Sequence, residues 1–192
     1  MTTQEIYKRI INSIESAISN TTGEVRIVED SINRIQGLSW NQNVKVQAGF
    51  CHQKPYAFFI NPDNLFTKQK TELGDFLFVI KYIDGGRIID KRALFFQAKY
   101  NNSGKQFSIE LHQFHFYKQI DNIEFKFGNS VYRNLGLTPI IWKNISVANE
   151  FGDYILLGNT FAVDLSTNEI ASQYEHKKYG HFNYDLDLIC DC

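Results

Sequence analysis

The chain has 192 residues, of which 43% are hydrophobic and 21% charged, and its formal net charge is −1. These values are typical of a folded domain and exclude a largely disordered chain or a protein whose whole surface binds polyanions. No apolar run approaches the roughly 18 residues of a membrane span, and the first residues lack the charged-then-apolar order of a signal peptide. We therefore expect one soluble, cytoplasmic domain over residues 1–192, without membrane association.

Two amphipathic helices are predicted at the start of the chain. Residues 4–19 place an isoleucine at every fourth position, namely at Ile6, Ile10, Ile14 and Ile18. A second helix is predicted from about residue 22 to 36, with Thr21 and Glu24 as a capping box. Its apolar stripe consists of Val25, Val28, Ile32 and Ile35.

Segments rich in β-forming residues follow the helices. Strands are predicted at residues 44–50, 56–60, 75–82, 93–100, 123–127 and 153–157. Residues 106–119 fit either a helix or an alternating strand. This order predicts an α+β fold (an α/β core) with a mixed central β-sheet flanked by helices.

The most informative segment is a predicted hairpin, because Gly85 and Gly86 mark a reversal between two apolar strands. Side chains two apart in a strand share a face, so Gln97 and Lys99 point the same way. A polar pair at the end of an otherwise apolar strand needs a partner or solvent.

The same hairpin brings Asp75 close to that polar pair. A turn centred at residue 86 places Asp75 opposite Gln97, and a turn centred at residue 87 places it opposite Lys99. In either register the Cβ atoms lie within roughly 5–8 Å of one another. The spacing therefore predicts that a carboxylate, an amide and an ammonium group converge at one edge of the hairpin.

Such a group of side chains suits a hard divalent cation. Carboxylate and amide oxygens from Asp75 and Gln97, with the backbone carbonyl of Ala98, would favour Mg²⁺ or Mn²⁺. Lys99 could position an attacking water or neutralise charge that develops on a phosphate. The alternative is a surface salt bridge between Asp75 and Lys99, with Gln97 as a bystander.

Asp75 and the triplet Gln97-Ala98-Lys99 also carry a resemblance. The segments ELGDFLFV and RALFFQAKY resemble those of the PD-(D/E)XK restriction-endonuclease-like superfamily, over a core of roughly residues 24–127. The resemblance implies a mixed four-stranded sheet flanked by helices and Mg²⁺- or Mn²⁺-dependent nuclease activity, usually on DNA. Residues 128–192 would be an extension of the same domain. Gln97 replaces the usual acid, which lowers the charge of the site and is compatible with weaker metal binding or an inactive member.

The superfamily often adds a glutamate from an N-terminal helix. With about 100° per residue and Val25 at zero, Glu29 falls near 40°, beside the apolar stripe, and Asp30 falls towards solvent. Glu24 falls near 260°, on the opposite margin, and is already assigned to the cap. Glu29 is therefore the predicted third catalytic acid and metal ligand, with Glu24 in reserve. The resemblance also implies a polar residue on the next helix, for which Gln113 is the candidate.

Positive charge is concentrated in residues 81–105, which hold six basic and two acidic residues. Lys91, Arg92 and Lys105 are the expected phosphate contacts. The leading hypothesis is a nuclease acting on DNA, as a homodimer or as the effector of a larger restriction or anti-phage defence complex, a context that rests on analogy. One alternative is an inactive nuclease fold that binds nucleic acid or a protein. The other is an unrelated β-rich domain that binds small molecules.

Overall fold

The computed structural model describes residues 1–51, 56–60, 68–118, 124–126, 152–174 and 180–186. The helices in these ranges are α1 (Thr3–Asn20), α2 (Glu24–Gly37), α3 (Leu111–Lys118) and α4 (Thr167–Ala171). The first strands are β1 (Val44–Phe50), β2 (Tyr56–Ile60), β3 (Lys68–Glu72), β4 (Phe76–Asp84) and β5 (Arg87–Tyr100). The later strands are β6 (Gln106–Glu110), β7 (Glu124–Lys126), β8 (Gly152–Leu157), β9 (Ala162–Leu165) and β10 (His181–Asp185).

The central sheet has the strand order β1-β4-β5-β8-β9. Strands β1, β4 and β5 pair antiparallel, β8 lies parallel to β5, and β9 pairs antiparallel with β8. Within the described ranges, two smaller sheets have the orders β10-β6 and β3-β2-β7. The fold is therefore α+β with a mixed central sheet, as predicted.

Helices α1 and α2 cover one face of the central sheet. Their isoleucines and valines form one core cluster with the inward side chains of β1, β4 and β5, among them Val46, Phe78 and Phe96. A second cluster on the other face joins α3 to Tyr154 and Leu156 of β8. Both faces of β8 are thus buried, which explains its continuous apolar sequence.

The β4–β5 hairpin forms in the first of the two predicted registers. Phe76 pairs with Phe96 and the pairing continues to Tyr82 opposite Asp90, where a bulge shifts it by one residue. Gly85 and Gly86 have φ of 52° and 78°. A two-residue turn with both central φ angles positive matches the right-handed twist of its strands, and glycine adopts such angles without steric cost.

Several elements differ from the prediction. Residues 106–118 form strand β6 followed by helix α3, so each interpretation of that segment holds for one half. Strands β3, β9 and β10 were not predicted. The core also extends beyond residues 24–127, because α1 packs on the sheet and β8 and β9 belong to it. Residues 128–151, 175–179 and 187–192 of the predicted extension lie outside the described ranges, as does residue 127 at the end of the predicted core.

No helix within the described ranges combines the length and apolar character that crossing a bilayer requires.

Candidate functional site

Asp75 lies directly before β4, and its backbone forms hydrogen bonds with β5 on one side and with the residue after β1 on the other. Its N–H donates to the carbonyl of Phe96 at 2.9 Å, and its own carbonyl accepts from the N–H of Cys51 at 3.0 Å. Only 2% of the residue is exposed. A carboxyl group in such a place requires hydrogen-bond donors, because its charge is costly to bury alone.

Two donors come from the end of β5. The carboxylate oxygen Oδ2 of Asp75 accepts a hydrogen bond from the side-chain amide of Gln97 and another, of 2.8 Å, from the backbone N–H of Ala98. Ala98 contributes its backbone N–H to Asp75, and the role of its carbonyl as a metal ligand stays a prediction. Gln97 is 2% exposed, and its Oε1 has no hydrogen-bond partner.

Lys99 lies two residues further along the same strand and is also buried. Its ammonium group pairs with the carboxylate of Glu110, the last residue of β6. Glu110 was not predicted, because it lies where the strand and helix interpretations of residues 106–119 conflict. The signal in the sequence was an acid inside this segment, eleven residues after Lys99.

A further acid arrives from α2, and it is Glu24. Its carboxylate accepts a 3.0 Å hydrogen bond from the backbone N–H of Tyr100, the residue after Lys99. The predicted capping box does not form. Gly23 is the N-cap without a side-chain hydrogen bond, and the hydroxyl of Thr21 instead donates to the carbonyl of Ala17. Glu24 is therefore available to the strand.

Glu29, the predicted third acid, is exposed on α2. The prediction was wrong because it counted Val25 as part of the apolar stripe. Val25 is 43% exposed, whereas Ile27 is fully buried. With about 100° per residue, the buried face then centres near 270°, so that Glu24 lies at its middle and Glu29 about 130° away. The structure brings the reserve candidate, not the first choice, to the site.

The electrostatics of the site are dominated by negative charge. Burial raises the pKa of Glu24, and the nearby charges of Asp75 and Glu110 raise it further, while Lys99 and the Tyr100 N–H act in the opposite direction. Three acids thus surround one lysine. A divalent cation would balance this charge.

A tight contact supports the backbone under Asp75. Tyr117 of α3 donates from its hydroxyl to the carbonyl of Leu73 at 3.0 Å. A Cβ placed on Gly74 would lie 2.8 Å from that hydroxyl and 3.0 Å from the carbonyl oxygen of Phe96. Gly74 therefore permits α3, β5 and the chain before β4 to approach closely, and this approach positions Asp75.

Two of the three predicted phosphate contacts, Lys91 and Arg92, do not lie at this site. Lys91 and Arg92 are exposed in β5, seven or more residues before Lys99, and Arg92 pairs with Asp90 at 3.1 Å. Lys105 is exposed in the loop before β6. The separation of Lys91 and Arg92 from Lys99 follows from the length of β5, which rises about 3.3 Å per residue.

Gln113, the predicted polar residue on the next helix, is buried in α3, and its Oε1 has no hydrogen-bond partner. The preceding residue, His112, lies close enough to the charged residues of the site for them to affect its pKa. Burial lowers its pKa most, Glu110 and Glu72 raise it, and Lys99 lowers it. The start of α3 therefore faces the same cluster as Lys99.

The donor atoms fit a magnesium or manganese ion only if an amide is counted. Among the residues that the structure describes, no three His, Cys, Asp or Glu side chains converge closely enough to hold a metal. Asp75 and Gln97 are in contact, however, and the unpartnered Oε1 of Gln97 is the kind of oxygen these ions accept. Turning that amide about its terminal bond would direct the oxygen towards Asp75.

Comparison of the chain with protein-family models, with curated proteins and with solved structures gave no match.

Proposed function

We propose that this protein hydrolyses phosphodiester bonds in DNA with the help of Mg²⁺ or Mn²⁺, in the manner of PD-(D/E)XK nucleases. One observation carries the proposal: Asp75 and Gln97 are in contact at the hairpin edge, with Lys99 beside them on the same strand face. All three are at least 90% buried. Burying polar and charged groups at one point costs stability, and active sites commonly accept that cost.

The chain offers three groups to hold the ion. Asp75 would bind through its carboxylate, Gln97 through Oε1 after its amide turns, and Glu24 directly or through a water. A bound ion of this kind supplies a Lewis acid for the phosphate and lowers the pKa of a coordinated water. A bound cation would favour this turn of Gln97, because it removes the repulsion between the two oxygens.

Lys99 would act on the reacting groups themselves. Its ammonium can donate a hydrogen bond to the attacking water or to a phosphate oxygen that gains negative charge. Glu110 orients that ammonium through their ion pair. Glu24, whose pKa is raised by burial, is suited to accept a proton at its carboxylate.

The test compares cleavage of supercoiled plasmid by the wild type and by Asp75→Asn, Lys99→Met and Glu24→Gln, with Mg²⁺ or Mn²⁺. The first two variants are expected to lose about 100-fold or more of the rate, since each removes a group that acts on the reacting phosphate or its ion. Glu29→Gln is the matched control and should cleave like the wild type. Equal cleavage by the wild type and all variants would show that these residues do not form the active site. A loss of cleavage with Glu29→Gln alone would show that Glu29 is the catalytic acid.

The second candidate function is a nuclease-like fold that binds nucleic acid without cleaving it. The observation in its favour is that the amide of Gln97 already donates to Asp75, which satisfies the carboxylate without a cation. Titration calorimetry separates the two functions. Heat from Mn²⁺ binding that disappears in Asp75→Asn supports the nuclease. No heat at millimolar Mn²⁺, together with salt-sensitive DNA binding, supports the binder.

A further inference from the structure

Three lysines lie side by side across the central sheet. The register places Lys45 of β1 opposite Lys81 of β4, and Lys81 opposite Lys91 of β5. Their neighbours Val44, Val46 and Ile80 point into the core under α1 and α2. The three lysines therefore project from the other face of the sheet, and we name them the lysine row.

The lysine row carries charge that the fold leaves uncompensated. Lys45 and Lys91 are exposed and Lys81 is half-buried, and no acid among the described residues forms an ion pair with any of them. The ammonium of Lys81 donates to the side-chain oxygen of Gln47 at 2.5 Å. Like charges directly opposite one another destabilise a sheet, and strands lie about 4.8 Å apart. The row thus concentrates three positive charges within about 10 Å.

This face of the sheet is the one that carries the candidate site. Asp75 and Lys81 are in phase along the β4 segment, and Lys91 is in phase with Lys99 along β5. The two rows between them are uncharged: Gln47, Val79 and Ala93, then Gly49, Leu77 and Phe95. At about 3.3 Å per residue, Lys81 lies about 20 Å from Asp75.

We propose that the lysine row binds the phosphate backbone of double-stranded DNA whose cleaved bond lies at Asp75. The inference rests on the proposed function and extends it to the position of the substrate. A DNA strand carries one phosphate per 3.4 Å of helix axis, so about 20 Å corresponds to about six base pairs. Charge complementarity selects this ligand, because DNA offers a line of negative charges and no acid in the part of the chain that the structure describes pairs with the row.

The experiment measures binding without cleavage. Fluorescence anisotropy in EDTA gives the affinity of the whole chain for a labelled 20-base-pair duplex at several salt concentrations. The row variant is Lys45→Gln/Lys81→Gln/Lys91→Gln. The control variant removes the same charge from exposed positions on three helices, as Lys8→Gln/Arg26→Gln/Lys118→Gln.

The row variant should lower the slope of log affinity against log salt by about 2–3, because each lost phosphate contact contributes about 0.9. The control variant should keep the wild-type slope. Thermal melting should show the row variant at least as stable as the wild type, since the substitution relieves repulsion between like charges. A large loss of stability would mean that the lysines are structural and would overturn the inference.

Other outcomes are equally decisive. An unchanged slope in the row variant, or equal losses in both variants, overturns the inference. So does tighter binding of the wild type to anionic vesicles than to the duplex at the same salt, an outcome suggested by Ile88 and Ile89, which are exposed near the hairpin tip. If the wild type cleaves DNA while the row variant binds it normally, only the row is rejected. If the row binds DNA but no cleavage occurs with Mg²⁺ or Mn²⁺, only the nuclease is rejected.

Discussion

The two ends of strand β5 place charged residues in opposite surroundings. At its beginning, Arg87, Lys91 and Arg92 are exposed on a hairpin that extends into solvent. At its end, Gln97 and Lys99 are almost fully buried between β4 and β8. The first group is ordinary for a protein surface, whereas the second needs a reason beyond folding.

The difference shows which polar residues are informative. An exposed lysine costs little wherever it stands, so its function has to be argued from its neighbours, as for the lysine row. A buried lysine or glutamine loses its hydrogen bonds with water. The free-energy cost is offset by hydrogen bonds within the protein, or it is retained because the residue is needed for function. The following predictions test the buried end of β5, from the largest expected effect to the smallest.

Gly74→Ala should lower the stability of the fold strongly. The added methyl group would collide with the Tyr117 hydroxyl and the Phe96 carbonyl, so that α3 or the backbone under Asp75 must shift. We expect a loss of about 2–3 kcal/mol in the free energy of unfolding, measured with urea.

Gly37→Ala is the matched control for this substitution. Gly37 ends α2, and a Cβ there would meet nothing within 4 Å. Because alanine has a higher helix propensity than glycine, the free energy of unfolding of this variant should be unchanged or higher by up to about 1 kcal/mol. Equal losses in both variants would show that the close approach at Gly74 does not exist.

If the buried end of β5 binds a metal ion as proposed, Gln97→Glu should strengthen that binding. Without metal, a second carboxylate beside Asp75 should lower stability by about 2–3 kcal/mol at pH 7, because two like charges would be buried together. With Mn²⁺, the extra charge should tighten binding by about tenfold or more, since affinity rises with the number of charged ligands.

Thermal melting with and without Mn²⁺ measures both effects of Gln97→Glu in one experiment. The matched control is Gln47→Glu, at an exposed position of β1. It should melt close to the wild type and show no additional response to Mn²⁺. A Gln97→Glu variant that Mn²⁺ does not stabilise would argue that no ion lies between residues 75 and 97.

Glu24→Gln should have a smaller effect, and one that depends on pH. Because the pKa of Glu24 is raised in the folded state, its contribution is most favourable below about pH 4.5 and is lost as the pH rises through the folded pKa. The neutral variant keeps an oxygen for the Tyr100 N–H. We expect it to be more stable than the wild type by about 1 kcal/mol at pH 7, with no gain at pH 4.

Urea unfolding at the two pH values measures this effect, with Glu29→Gln, at an exposed position of α2, as the comparison variant. A Glu24→Gln variant that loses stability at pH 7 would mean that the charged form of Glu24 is required by the fold.

The sequence predicted the hairpin well because its information is local. Two glycines define the turn, and counting from a turn centred at residue 86 gives the observed pairing of Phe76 with Phe96. The turn itself pairs Asp84 with Arg87, so that without a bulge the register would be one residue out. The bulge after Tyr82, which was not predicted, shifts the pairing into the predicted register.

The acid from α2 could not be predicted in the same way. Its identity depends on the rotation of the helix about its axis, and one exposed valine at position 25 shifted that rotation in the prediction. Glu110 was missed because its segment changes from strand to helix at the next residue. Both wrong predictions concern how one element of secondary structure is placed against the next. The local periodicity of the sequence carries no information about that placement.

The parallel pairing of β5 with β8 has a consequence for synthesis on the ribosome. Gln97 and Lys99 lie next to Tyr154 and Leu156, which are translated long after them. A nascent chain that has emerged only as far as α3 lacks the strand that encloses this end of β5. Any reactivity of these side chains therefore develops only after β8 has left the exit tunnel.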